Sequence, residues 1–80
     1  MPTIYTENGF IFYFYSGDRQ ESIHIHIDKA EGSAKIWIEP TIKWAYCYGF
    51  KANQKRQIME IVKKNSEFIK NKWHEHFSQN

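Results

Sequence analysis

Two histidines one residue apart, His24 and His26, are the groups in this chain whose type and spacing best suit chemistry. They lie in Ser22-Ile23-His24-Ile25-His26-Ile27-Asp28, where isoleucines alternate strictly with polar residues. A β-strand sends successive side chains to opposite faces. The stretch therefore predicts one strand with its isoleucines toward a core and Ser22, His24, His26 and Asp28 in a row on the other face. Imidazole titrates near pH ~6.5, which suits general acid and base work. Neutral imidazole also ligates zinc, nickel, copper and iron, and two histidines plus a carboxylate form a common facial set. The missing ligand could come from Asp18, Glu21 or Asp28, or from His74 or His76. A metal site is the alternative here and not the favoured reading, because catalytic zinc normally takes three protein ligands and an open position. A polar outer face of a half-buried sheet is the plain explanation of the same pattern.

The elements that must position this strand follow from the turns around it. Ile4 to Glu7 reads as a strand, and Asn8-Gly9 as a tight hairpin turn, since both residues tolerate positive φ. Phe10 to Tyr15 is all aromatic apart from Ile11 and predicts a central strand covered on both sides. Residues 16–21 are polar and contain glycine, hence a loop. Glu31-Gly32-Ser33 signals a second turn. Ala34 to Glu39 alternates again, which places Lys35, Trp37 and Glu39 beside the histidines if the two strands form a hairpin. Pro40 ends that strand. Residues 41–48, with Trp44, Tyr46 and Tyr48, fit a further strand or an extended edge.

From residue 53 the period changes. Asn53 is a plausible N-cap. Ile58, Val62, Ile69 and Trp73 fall within about 60° of one another on a helical wheel. An unbroken helix over residues 53–78 would be about 39 Å long, more than the ~25–30 Å expected across an 80-residue globule. Either it breaks near Asn65-Ser66 or its end projects and packs on a second chain. A long helix with a kink is the favoured form, with a homodimer through it as the corollary. The fold class is α+β: an antiparallel sheet of about four strands in hairpins or a meander, followed by a C-terminal amphipathic helix. One domain covers residues 1–80, with a sheet part at 1–50 and a helical part at 51–80.

The chain has 80 residues with three Trp, five Tyr and six Phe, enough aromatic area for a compact core in a small domain. Its single cysteine, Cys47, excludes an internal disulfide and fits a reducing compartment. The first residues lack the pattern of a signal peptide, and no apolar run approaches the ~20 residues that span a bilayer. A cytoplasmic protein without membrane attachment is expected. Net charge is −2 over residues 1–50 and +4 over residues 51–80. The basic segment, with Lys55, Arg56, Lys63 and Lys64, could meet RNA or an acidic protein, and Trp37 could add stacking. An ordinary solvated helix face explains the same lysines. His74 and His76 stand about 200° apart on a helix and cannot share one ion there. Phosphate-binding glycine loops and nucleophile elbows are absent.

Taken together, these blocks resemble a known family. Met1-Pro2-Thr3-Ile4, the aromatic run Phe12-Tyr13-Phe14-Tyr15-Ser16, then Glu21 and His24-Ile25-His26-Ile27 occur in order. Ala34-Lys35-Ile36-Trp37-Ile38-Glu39-Pro40, Gly49-Phe50, Asn65 and Trp73 to Phe77 follow. The order and spacing resemble the bacterial family catalogued as domain of unknown function 4160. That family typically has proline just before the histidines, where this chain has Ser22-Ile23. Its pattern falls on Glu21, His24, His26, Lys35, Trp37, Asn65 and Trp73 and assigns none of them a role.

The resemblance implies a small bacterial α+β protein, often encoded beside another small protein in pairs that look like toxin–antitoxin modules. The leading expectation is thus a partner-binding protein of such a pair, acting on or contacting RNA. If the chain is the toxin, His24 and His26 would serve as general acid and base in RNA cleavage, and Lys35 would stabilise phosphate charge. No cofactor is expected under that reading. The alternative is a metal-binding enzyme or sensor with zinc or a similar ion on His24, His26, Asp18 and Glu21. A structural module without chemistry is the third possibility.

Overall fold

The computed structural model describes residues 3–77. Five strands form one antiparallel sheet in sequential order, a simple meander: β1 (Thr3–Glu7), β2 (Phe10–Tyr13), β3 (His24–Lys29), β4 (Gly32–Trp37) and β5 (Lys43–Tyr48). A single turn of 3-10 helix, Ser16–Gln20, lies between β2 and β3. Two helices close the chain, α1 (Ala52–Lys64) and α2 (Ser66–Phe77). Among the described residues no helix is long and apolar enough to cross a membrane.

The α+β expectation holds, with two corrections. The stretch left ambiguous at 41–48 is a fifth strand, so the sheet exceeds the expected four. The C-terminal segment is two helices and not one long one, and its last predicted residue, Ser78, lies outside the described residues. The break falls at Asn65, where the amide Nδ2 donates to the Ile61 carbonyl at 2.8 Å. The Asn65 backbone N–H goes to the same carbonyl at 3.0 Å. A side chain that competes for a helical carbonyl favours a terminus over an interior position. The N-cap of α1 is Lys51, two residues before the predicted Asn53, with its N–H bound by Gln54 Oε1 at 2.8 Å. Asn53 is already inside the helix.

Turn chemistry sets the register. Asn8 and Gly9 both take positive φ, 54° and 83°, and join Glu7 to Phe10 in a two-residue hairpin. The second hairpin turns at Ala30-Glu31, two residues before the predicted centre, with Ala30 at φ 52°. Gly32 opens β4 because the Phe50 ring lies only 2.4 Å from where a Cβ would stand. In β5, Ala45 is an extra residue: Ile36 pairs with Trp44 and Lys35 with Tyr46. Such a bulge shifts the alternation by one. Trp44 and Cys47 consequently pack on the core, and Tyr46 and Tyr48 point to the histidine face.

The core lies between the sheet and the helices. Phe10 and Phe12 from β2, Phe14 just after it, Ile25 and Ile27 from β3, and Ala34 and Ile36 from β4 meet Ile58, Ile61 and Val62 of α1 and Ile69 and Trp73 of α2. All of these are buried. The three-isoleucine face read from the sequence therefore does line the core: Ile25 and Ile27 fully and Ile23 at its margin.

Candidate functional site

Strand β3 presents His24 and His26 on the face opposite the isoleucines, as the alternation requires. That face is not the solvated surface expected for it. The chain leaves β2 at Tyr13, passes Tyr15 and folds the 3-10 turn back so that Asp18 meets both imidazoles. His24 is 0% exposed, His26 5% and Asp18 8%. Rings wall them in. Trp37 and Trp73 stand edge-on to His24 at 5.3 and 5.2 Å. Tyr13 stacks on His26 at 5.2 Å and Tyr15 meets it edge-on at 4.6 Å.

The polar contacts inside this enclosure define the protonation pattern. His24 Nδ1 lies 2.8 Å from the Ser22 carbonyl oxygen. A carbonyl only accepts, so Nδ1 carries the proton and donates. His24 Nε2 then faces Asp18 Oδ1 at 3.0 Å, but out of line for a hydrogen bond, and this buried nitrogen has no hydrogen-bond partner. His26 Nε2 lies 3.1 Å from Asp18 Oδ2 and 3.3 Å from Oδ1, and its Nδ1 is likewise buried without a partner. The Tyr15 backbone N–H donates to Asp18 Oδ2 at 2.7 Å. That contact is half of a capping arrangement: a carboxylate three residues after the N-cap receives the cap's own N–H.

Burial pushes the Asp18 carboxyl up, but the Tyr15 N–H and the two imidazoles outweigh it and hold the group below its ordinary value. Burial pushes His26 down, and the Asp18 carboxylate only partly opposes it. At neutral pH the pair is an anionic carboxylate accepting from the Nε2–H of a neutral imidazole, so a metal ion bound at Nε2 would displace that proton. One ligand atom from each of Asp18, His24 and His26 lies within 4.8 Å of the others, close enough to share a single cation.

The other residues singled out from the sequence fall elsewhere. Glu21 sits 3.7 Å from His24 Nδ1, on the side of the ring away from Asp18, and is bound by Lys35 at 2.7 Å. It does not join the cluster, which corrects its place in the expected ligand set. Asp28 accepts from the Tyr13 hydroxyl at 3.0 Å. His76 packs against Phe14 and Phe77, so neither it nor Asp28 completes a metal site. Lys35 does stand beside the histidines as predicted, pairing with His26 in register, but it is committed to Glu21 and to the Trp37 ring at 4.4 Å.

The basic residues of α1 diverge. Lys55 reaches toward Trp44 on β5, at 5.9 Å from its ring, and Lys64 pairs with Glu7 on β1 at 3.3 Å. These strands are opposite margins of the sheet. Arg56 and Lys63 are exposed on the outer side of the helix. Trp37 is part of the histidine enclosure and is not grouped with them. Sequence reasoning missed Tyr13 and Tyr15, and it read Ser22 only as part of the polar row, without the carbonyl that binds His24 Nδ1. The spacing of Tyr15 and Asp18 was the available signal, since a carboxylate at the third position of a turn commonly binds the N-cap amide.

No curated protein and no solved structure matches the chain. The model of one family does match, over residues 9–74, a span that contains β2 to β5, the 3-10 turn, the whole histidine enclosure and most of both helices. The chain belongs to the family described as Domain of unknown function (DUF4160).

Proposed function

We propose that this protein binds one divalent first-row transition-metal ion, zinc foremost, through His24 Nε2, His26 Nε2 and the Asp18 carboxylate. One observation carries the reading. With Nδ1 donating to the Ser22 carbonyl, His24 turns its other ring nitrogen to a carboxylate oxygen 3.0 Å away, a contact that calls for a cation shared between them. Two acceptors at that separation repel unless a cation lies between them. A metal ion fits the donor set, the 4.8 Å spread and the surroundings. Metal-bound histidines characteristically donate their other N–H to a carbonyl, and ligating carboxylates are themselves hydrogen-bonded. Ser22 and the Tyr15 amide do both.

The depth of the site favours binding or sensing over catalysis. The ligands are nearly inaccessible, so the ion would fasten the Ser16–Gln20 turn onto the sheet. Bound zinc with three protein ligands supplies Lewis acidity at its open position, but the rings of Tyr13, Tyr15, Trp37 and Trp73 enclose the imidazoles. The same burial weighs against His24 and His26 as acid and base on an RNA chain, because a catalytic proton donor must reach its substrate. Membership of a toxin–antitoxin-like pair, with a small partner protein or RNA on α1, has less support from the geometry, since the four basic side chains there do not converge.

The test is direct. Protein purified without a histidine tag, stripped with EDTA and titrated with zinc or nickel should take up one ion per chain. His24→Ala and Asp18→Asn should lose that stoichiometric step. Nitrogen-15 spectra should show His24 with its proton on Nδ1 and a metal-shifted Nε2. Absence of a one-to-one step, or an imidazolium His24 protonated on both nitrogens at neutral pH, would sink the proposal.

A further inference from the structure

Glu21 stays out of the cluster, yet it lies at the far edge of one of its rings. Its Oε1 accepts from Lys35 Nζ at 2.7 Å, and the same oxygen stands 3.7 Å from His24 Nδ1. The His24 imidazole is therefore flanked by two carboxylates, Asp18 at the Nε2 edge and Glu21 at the Nδ1 edge. Both belong to one short segment, since the Glu21 N–H donates to the Asp18 carbonyl at 2.9 Å and closes the 3-10 turn. Lys35 stands opposite His26 across the ladder of β3 and β4, where facing Cβ atoms are about 4.5–5.5 Å apart. The Lys35 side chain is only 14% exposed, so solvent screens its charge poorly. An unmatched ammonium there would repel any cation held by the imidazoles, and Glu21 cancels it.

We propose that the Glu21–Lys35 pair sets the metal affinity of the histidine cluster, with Glu21 as an outer carboxylate that acts through His24. The inference rests on metal binding by Asp18, His24 and His26. A cation on Nε2 draws electron density from the ring, and positive charge gathers at the Nδ1 edge. The Ser22 carbonyl takes the Nδ1 proton at 2.8 Å. The Glu21 carboxylate, 3.7 Å from the same nitrogen, stabilises the charge that builds there. The pair thus sets two opposite charges beside the site, one favouring the cation and one opposing it. In balance they leave the affinity to the three ligands, and removing one or the other tips it in opposite directions. A pair that only clamped the turn to the sheet would behave differently. Loss of either partner would break the same contact and weaken binding both times.

Zinc is titrated into the EDTA-stripped, untagged chain against a competing chelator that reports free metal. Glu21→Gln keeps an oxygen for Lys35 but leaves the ammonium unmatched. It should bind zinc about tenfold more weakly, at the lower end of the 10–100-fold effect of outer partners. Lys35→Met keeps an apolar stem packed beside Trp37. It should bind zinc more tightly by a similar factor. The double variant, with the charges again balanced, should return close to the wild-type affinity. Amide spectra of the metal-free variants should match the wild type away from the two positions, since Glu21 is half-exposed and such a pair adds little to stability. Anything but opposite shifts in the two single variants would overturn the proposal, and weaker binding in both would mark the pair as a clamp. Failure of the wild type to take up one zinc is a separate outcome that removes the metal reading and this inference with it.

Discussion

Metal linkage gives the most demanding prediction. A ligand that binds only the folded state stabilises it by RT ln(1 + [L]/Kd), about 2.7 kcal/mol when free metal is at 100 times Kd. For a domain of 60–100 residues, each kcal/mol moves the melting temperature by about 4–8 °C. The 80-residue chain should therefore melt about 11–22 °C higher at that zinc concentration than in EDTA. Asp18→Asn is the informative perturbation. The amide oxygen can still accept the Tyr15 N–H that the carboxylate takes at 2.7 Å, so the 3-10 turn keeps its local anchor. The anionic ligand to the cation is lost. Removing even an outer partner of a metal ligand costs 10–100-fold in affinity, so losing a ligand should cost at least 100-fold. At the same free zinc, the variant then sits near its own Kd, where the formula gives about 0.4 kcal/mol, or some 2–3 °C. Scanning calorimetry of both proteins with and without zinc measures all four values. An equal zinc-induced rise in the wild type and Asp18→Asn, or none in the wild type, would refute the argument from the His24–Asp18 geometry.

Three further outcomes are expected. Metal-free protein should be less stable in urea at pH 5.5 than at 7.5: His26 is held below its unfolded value near ~6.5 by burial, so its contribution is present above that pH and lost as pH falls through the folded value. His26→Gln should flatten the difference, and an equal drop in that variant would show that another group is responsible. Gly32→Ala should cost about 1–3 kcal/mol by denaturant unfolding, because the new Cβ would stand 2.4 Å from the Phe50 ring, and adding Phe50→Leu should recover part of it. Asn65→Ala should cost about 1 kcal/mol through loss of the bond to the Ile61 carbonyl, with faster amide exchange in the last turn of α1.

Much of the architecture was legible because it is written in local periodicity and turn chemistry. The alternation around His24 and His26 specified a strand and its two faces. Asn8-Gly9 specified a hairpin, and the side chain of Asn65 marked the point where a helix that was too long had to end. What stayed hidden depends on contacts between distant segments or on one-residue irregularities. Asp18 sits in a polar loop with no period, and only its spacing from Tyr15 sets it apart from Glu21, although Asp18 alone of the two folds over the imidazoles. Tyr13 and Tyr15 read as members of an aromatic strand, yet β2 stops at Tyr13 and both rings go to His26. Trp44 seemed to share a face with Tyr46 and Tyr48 until the extra residue at Ala45 reversed the count. The burial of the histidines needed all of these at once, together with Trp73 from α2, and could not be inferred from strand alternation.

The irregularity at Ala45 has a counterpart at the other margin, where the pairing of β1 with β2 slips between Thr3 and Tyr5. Both outermost strands thus break stride within their length. A straight run of free backbone amides is a template on which other chains can polymerise, and a kinked one is a poor template. The sheet is in effect selvedged on both sides, which protects a strand-rich chain of this size from growing into fibres.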